Sequence, residues 1–215
     1  MNSSQNSMDN AQALQKNREQ LEADYKKLPL VSSAKDTVPG EGNPNAEILF
    51  IGEAAGRNEA LLRRPFVGLA GKLVDKQLEA IGIPRKEVYI SNVVKCRPPD
   101  NRDPLPEEIA AFAPYLDREI EILDPKLIVT LGRFSMGKFI PDVKISMIHG
   151  RLHKVKFQGK MRFVLPFYHP AAAMRRGIVM DMFVADFKKV PKILEYVNSK
   201  KAELEFETTV HETLF

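Results

Sequence analysis

Three short apolar runs, AEILFIG (46–52), EVYISNVV (87–94) and PKLIVTLG (125–132), alternate along the chain with segments of helical length. Apolar runs this short, bounded by Gly or Pro, read as buried strands. Between them lie LAGKLVDKQLEAIG (69–82), a helix closed by Gly82, and PEEIAAFAPYLDREIEIL (106–123), a helix opened by Pro106 with two carboxylates in its first turn and Pro114 set to bend it. LHKVKF (152–157) and RFVLPF (162–167), joined across QGKM, read as a hairpin or paired edge strands, and 180–197 as a last helix interrupted by Pro191. The alternation predicts an α/β fold, three layers α/β/α around a mostly parallel sheet, in a single domain over 46–198. In such sheets a ligand sits beyond the carboxyl ends of the strands. Four suggestive groups fall there: Gly52-Glu53, Ser91-Asn92, Gly132-Arg133 and Tyr168-His169-Pro170.

The flanks are less regular. Residues 1–12 read as disordered and 13–28 as a charged helix with Leu14, Leu21, Tyr25 and Leu28 at helical spacing. The Pro/Gly/Ser/Asn-rich stretch 29–46 reads as a loop, so that 1–45 form a flexible or helical lead-in and 199–215 a tail. At 215 residues and 44% hydrophobic the chain suffices for one well-buried domain. It has no apolar run of about 18 residues and its polar start is no signal peptide, so a cytoplasmic, nucleoid-associated monomer without a membrane partner is expected. The net charge of +4 suits a polyanion without requiring one. A single cysteine, Cys96, leaves no internal disulfide and too few thiolates for a four-cysteine cluster.

Several loops carry candidate chemistry. In GEAAGRNEA (52–60) the small residues Gly52 and Ala54 allow close approach to the backbone, and Glu53 at the strand end suits water or a cation; a tight loop with a solvated carboxylate would look the same. The run lacks the Gly-Lys-Ser/Thr ending of a phosphate loop. Phe66 follows Arg63 and Arg64, an aromatic able to stack on a base with arginines near for phosphate, or a core residue at a helix start. Asn92 both donates and accepts, as pairing with a pyrimidine edge requires. Lys95, Arg97 and Arg102 then stand among four prolines in a stiff basic loop suited to a phosphate backbone. Arg133 sits past the third strand. His169 leads into a short loop ending in Met174, Arg175 and Arg176, an apolar side chain beside arginines as in a wedge entering a base stack.

Taken in order, GEAAG, RRPFVGLAGKLVD, NVVKCRPPDNRDP, TLGR and HPAAAMR resemble the family-4 uracil-DNA glycosylases over about residues 46–195. The resemblance implies an enzyme that flips uracil from single- or double-stranded DNA and hydrolyses its N-glycosidic bond, for base-excision repair. It implies that Glu53 positions or activates water, Phe66 stacks on uracil, Asn92 reads its polar edge, His169 stabilises charge on uracil O2, and Met174 and Arg175 fill the gap in the duplex.

Two departures follow. Ala55 stands where the family motif usually has proline, which is expected to loosen the loop presenting Glu53. Of the four cysteines that hold a four-iron cluster in that family, only Cys96 remains, and the helix position corresponds to Phe112; no cofactor and no metal are expected, with Phe112 and apolar residues of 28–38 packing in the cluster's place. The basic KRRIH insertion of covalent uracil-trapping relatives is absent after Cys96, so turnover is expected. Two alternatives stay open: a non-catalytic module binding uracil or single strands, and a glycosylase for another deaminated base. The ending HETLF (211–215) resembles short peptides that dock on a sliding clamp, or else folds back on the domain.

Overall fold

Because the strands are buried on both faces, period-two alternation sorts each apolar run into two cores. In this computed structural model, which describes the backbone of residues 2–199 and side chains from residue 8 onward, strand β2 (Ile48–Ala54) sends Ile48 and Phe50 to one side and Leu49 and Ile51 to the other. Helices α3 (Leu69–Ala80) and α8 (Gly177–Val197) cover the first side, meeting it with Val74, Leu78, Phe183 and Phe187. Helices α1 (Asn2–Ala23) and α4 (Pro106–Leu123) cover the second with Leu21, Phe112, Leu116 and Ile120. The α/β/α layering is as the sequence predicts.

The six-stranded sheet has the order β1-β3-β2-β4-β6-β5. Its parallel centre is β3 (Tyr89–Val94), β2, β4 (Leu127–Leu131) and β6 (Lys160–Phe167). The edges β1 (Glu41–Gly42) and β5 (His153–Phe157) are antiparallel. The register decides where the site lies: Gly52 pairs with Asn92 and Leu131 with Phe167, so the chain leaves the four central strands at one level.

Several local expectations change. The N-terminal segment is helical from Asn2, not disordered to residue 12, and α1 is tied to α4 by Asn17 Nδ2 donating to the Tyr115 carbonyl at 2.9 Å. The hairpin between β5 and β6 turns on Gln158-Gly159 alone (φ +50° and +76°), a two-residue turn in the left-handed region that suits strand twist, so Lys160 and Met161 belong to the strand. Three helices lie in segments read as loop or left unassigned: α2 (Arg57–Leu62), α5 (Arg133–Gly137) and α6 (Ile145–Ile148). So does α7 (Pro170–Arg175), which has Pro at its first position. The expectations for the tail, HETLF included, lie outside the described residues. Among the described residues no helix is long and apolar enough to cross a membrane.

Candidate active site

Gly52 is the floor of the site. A Cβ there would lie 2.4 Å from Asn92 Oδ1 and 2.4 Å from the Phe66 ring, so only glycine lets these two side chains meet over the strand end. Asn92 is 1% exposed, and neither its Oδ1 nor its Nδ2 has a hydrogen-bond partner. Leaving a buried amide donor and acceptor both unpaired costs roughly 1–3 kcal/mol for each group. Such an expense is a feature of a group kept for a ligand.

Phe66 is 5% exposed and held at φ +53°, a left-handed conformation uncommon for an aromatic residue. Its ring centroid lies 6.1 Å from that of His169. The two rings and Glu53 line a cavity of about 440 Å³, together with Ala54, Pro98, Asp103 and Arg175. Asn92 is not among the residues that line this cavity, but like Phe66 it abuts Gly52 at the end of β2.

His169 is the N-cap of α7, where its Nδ1 accepts the Ala171 N–H at 3.2 Å. An accepting Nδ1 places the ring proton on Nε2. Burial, with the Arg175 cation adding to it, pushes the His169 pKa down to about 4, so the imidazole is neutral at physiological pH. The site therefore presents a neutral N–H donor. Glu53 has the opposite fate: burial, reinforced by Asp103 and opposed by Arg133, pushes its carboxyl up to about 7. Gly132 (φ +102°) makes room for it, since a Cβ there would meet Glu53 Oε1 at 2.6 Å.

Ala55 ties this loop to the segment that follows β3. It is 2% exposed, and its N–H donates to the Cys96 carbonyl at 3.2 Å, a bond that a proline would lack.

The basic residues divide. Lys95 is corrected from phosphate ligand to core residue: it is 0% exposed, and its ammonium donates to Ser91 Oγ at 2.6 Å and Glu119 Oε2 at 2.7 Å. Arg63 and Arg64 are likewise engaged elsewhere, with Glu22 and the Thr37 carbonyl and with Glu41. Arg102 holds both oxygens of Glu108 at 2.9 and 2.5 Å, Arg97 donates to Asn101 Oδ1, and Arg133 pairs with Asp103. Arg175 and Arg176 are exposed, and Met174 is 44% exposed on α7 beside them.

Two residues of the site escaped sequence reasoning. Glu59 on α2 accepts the N–H groups of Val67 at 2.9 Å and Gly68 at 2.7 Å, capping α3 where Gly68 has no side chain to do so. Arg85 grips the same loop from its other side. Neither carried a local signal, because each contact joins segments brought together only by the fold.

The chain matches the family model of the Uracil DNA glycosylase superfamily over residues 39–193. The chain belongs to that superfamily. It is similar to the type-4 uracil-DNA glycosylase of Sulfurisphaera tokodaii, 46% identical over 174 residues that span 78% of this chain and 79% of the relative. The type-4 uracil-DNA glycosylases of Archaeoglobus fulgidus and Saccharolobus solfataricus are each 44% identical over 174 residues, again 78% of this chain, covering 87% and 81% of those proteins. In this glycosylase the cavity lined by Glu53 and His169 lies beyond the carboxyl ends of the central strands, and Asn92 lies near the end of β3.

The four-iron cluster of family-4 enzymes does not fit the residues here. Cys96 is the chain's one cysteine, and it is buried, its thiol pushed up to about 12 chiefly by desolvation. Leu28, Phe112 and Leu116 pack into the same apolar cluster, with Leu30 and Val31 against it. Among the described residues no group of three His, Cys, Asp or Glu side chains is arranged to hold a metal ion.

Proposed function

We infer that this chain is a uracil-DNA glycosylase, a hydrolase that flips uracil out of DNA and cleaves its N-glycosidic bond to leave an abasic site for repair. The observation that carries this reading is the buried, unpartnered amide of Asn92, which abuts Gly52 together with the Phe66 ring, at a cavity that Phe66, a neutral His169 and Glu53 line. An extruded uracil offers an N–H and a carbonyl on one edge, which one carboxamide pairs with in two hydrogen bonds. Phe66 turns aside and stacks on the base. A deaminated purine offers the same N–H and carbonyl edge but would need more room.

Catalysis follows from the two charges that develop as the bond breaks. The electron pair of the C1′–N1 bond leaves with uracil, whose O2 becomes negative. His169 Nε2–H stabilises that oxygen as a neutral donor, with no proton taken up or lost beforehand. The sugar becomes oxocarbenium-like, and the Glu53 carboxylate stabilises it and orients the water that adds to C1′; the proton that this water loses is accepted by Glu53 and returned to the departing uracil anion, so that the products are an abasic sugar and neutral uracil. Met174 and Arg175 fill the vacated stack, while Arg97, Arg102, Arg133 and Arg176 exchange their present partners or solvent for phosphates. No step passes through a metal. The apolar cluster around Cys96 and Phe112 stands in the cluster's place, and protein purified without oxygen is expected to be colourless; a brown absorbance shoulder with iron near one cluster per chain would overturn this.

The pH profile tests the mechanism. Glu53 must be ionised, so kcat/KM should rise as pH passes about 7 and level off above it, with no second limb from His169, whose pKa of about 4 leaves it neutral throughout. Stability runs the other way. A carboxyl raised on folding favours the native state below its unfolded pKa and loses that contribution as pH rises through about 7. Glu53→Gln should therefore melt above wild type at pH 8, with the difference closing toward pH 4, while losing activity. A flat rate profile between pH 5.5 and 8.5 would assign the water to backbone groups instead.

A further inference from the structure

The backbone of Pro65–Gly68, which presents Phe66, is held from two sides. Arg85 lies on a short 3₁₀ turn (Arg85–Glu87) just before β3, remote in sequence from the loop. Its Nη2 donates to the Pro65 carbonyl at 2.7 Å and its Nη1 to the Phe66 carbonyl at 3.0 Å. Asp75 on α3 orients the guanidinium by accepting from Nη1 at 2.8 Å. Opposite, the Glu59 carboxylate takes the N–H groups of Val67 and Gly68. Gly71 completes the fixture, because a Cβ there would lie 1.8 Å from the Phe66 carbonyl oxygen. Four successive residues thus have their carbonyls or amides bound by side chains, around a residue at φ +53°. A strained backbone conformation persists only where its surroundings over-determine it.

We propose that Arg85, oriented by Asp75, is a positioning residue for base recognition: it fixes the Phe66 backbone so that the ring moves by side-chain torsion alone and closes on the base in one geometry. The proposal rests on the reading that Phe66 stacks on uracil. A planar, two-pronged donor suits this role, since it spans two successive carbonyls where a lysine ammonium holds one point. Arg85 itself touches neither base nor sugar. Its effect on turnover passes through Phe66.

A double-mutant cycle tests this, because residues acting through one another give non-additive effects. The measurement is single-turnover uracil release from an oligonucleotide, with DNA affinity and melting temperature recorded for every variant and rates taken below the lowest melting point. Phe66→Ala should lower the rate about 10–100-fold, the scale of one lost base–aromatic stack. Arg85→Gln should lower it about tenfold in the wild-type background with DNA affinity retained, and less than about twofold further when Phe66→Ala is already present. Asp75→Asn, which leaves the loop contacts in place, should show the same pattern with a loss of about threefold, and it carries the test if Arg85→Gln does not fold. A tenfold loss that persists in the Phe66→Ala background would overturn the proposal, as would wild-type rates for Arg85→Gln and Asp75→Asn. A wild-type rate for Phe66→Ala would overturn the stacking reading itself, and the role of Arg85 with it.

Discussion

His169→Ala is expected to slow uracil release about 10²–10³-fold in single-turnover experiments, the usual effect of removing one donor aimed at developing negative charge. The reason is geometric. Nδ1 is committed to the Ala171 N–H at the start of α7, so the only ring proton is on Nε2. Burial keeps the ring neutral, with a pKa near 4. The donor is thus in place before the substrate arrives and needs no reorganisation as charge appears on O2. Because the loss falls in the chemical step, DNA affinity should stay within about twofold of wild type. A rate within about threefold of wild type would remove His169 from the mechanism, since that corresponds to less than about 1 kcal/mol of transition-state stabilisation.

Asn92→Ala should cost a comparable factor but differ in kind. It removes readout of the base and leaves phosphate contacts alone, so uracil release should fall about 10²-fold or more while filter-bound DNA is nearly unchanged. The free protein supplies an independent sign. The wild-type amide is buried with both polar atoms unpartnered, so the variant without it should melt no lower than wild type, and above it if the small cavity left is tolerated. Parallel loss of rate, affinity and melting temperature would make Asn92 a structural residue.

The site was legible in the sequence to the extent that strand ends can be read. Apolar runs in alternation with helices imply parallel strands, and parallel strands imply a ligand at their carboxyl ends, which put Glu53, Asn92 and His169 together before any coordinates. The alternation within β3 also explains the error at Lys95. Ser91, Val93 and Lys95 share one face of the strand's path, the face covered by α4, where Glu119 waits. Asn92 follows Ile90 on the opposite face, toward Phe66. Lysine in a proline-rich basic stretch reads as a surface charge unless its carboxylate partner is known, and that partner is 24 residues away on a helix whose rotation only packing fixes.

Other misreadings have similar causes. The run PAAAMR has Pro at its first position and three alanines, ordinary signs of a helix start, yet its brevity and the adjoining arginines favoured a loop. Residues 13–28 read as a helix, but the polar residues 2–12 before them gave no sign that α1 extends back to Asn2; Leu21 at 1% exposure and the Asn17 hydrogen bond to α4 anchor the helix. Arg85 and Glu59 were invisible because their partners are main-chain groups, and a sequence does not mark which carbonyls a guanidinium will find.

The measurement that bears most directly on the central claim is cleavage of an end-labelled DNA strand containing one uracil by chelator-treated protein shown to be free of iron, followed by hot alkali. The account predicts a single break at the uracil and none at thymine in the same strand. A strand that stays intact under conditions where the protein binds it would contradict the account.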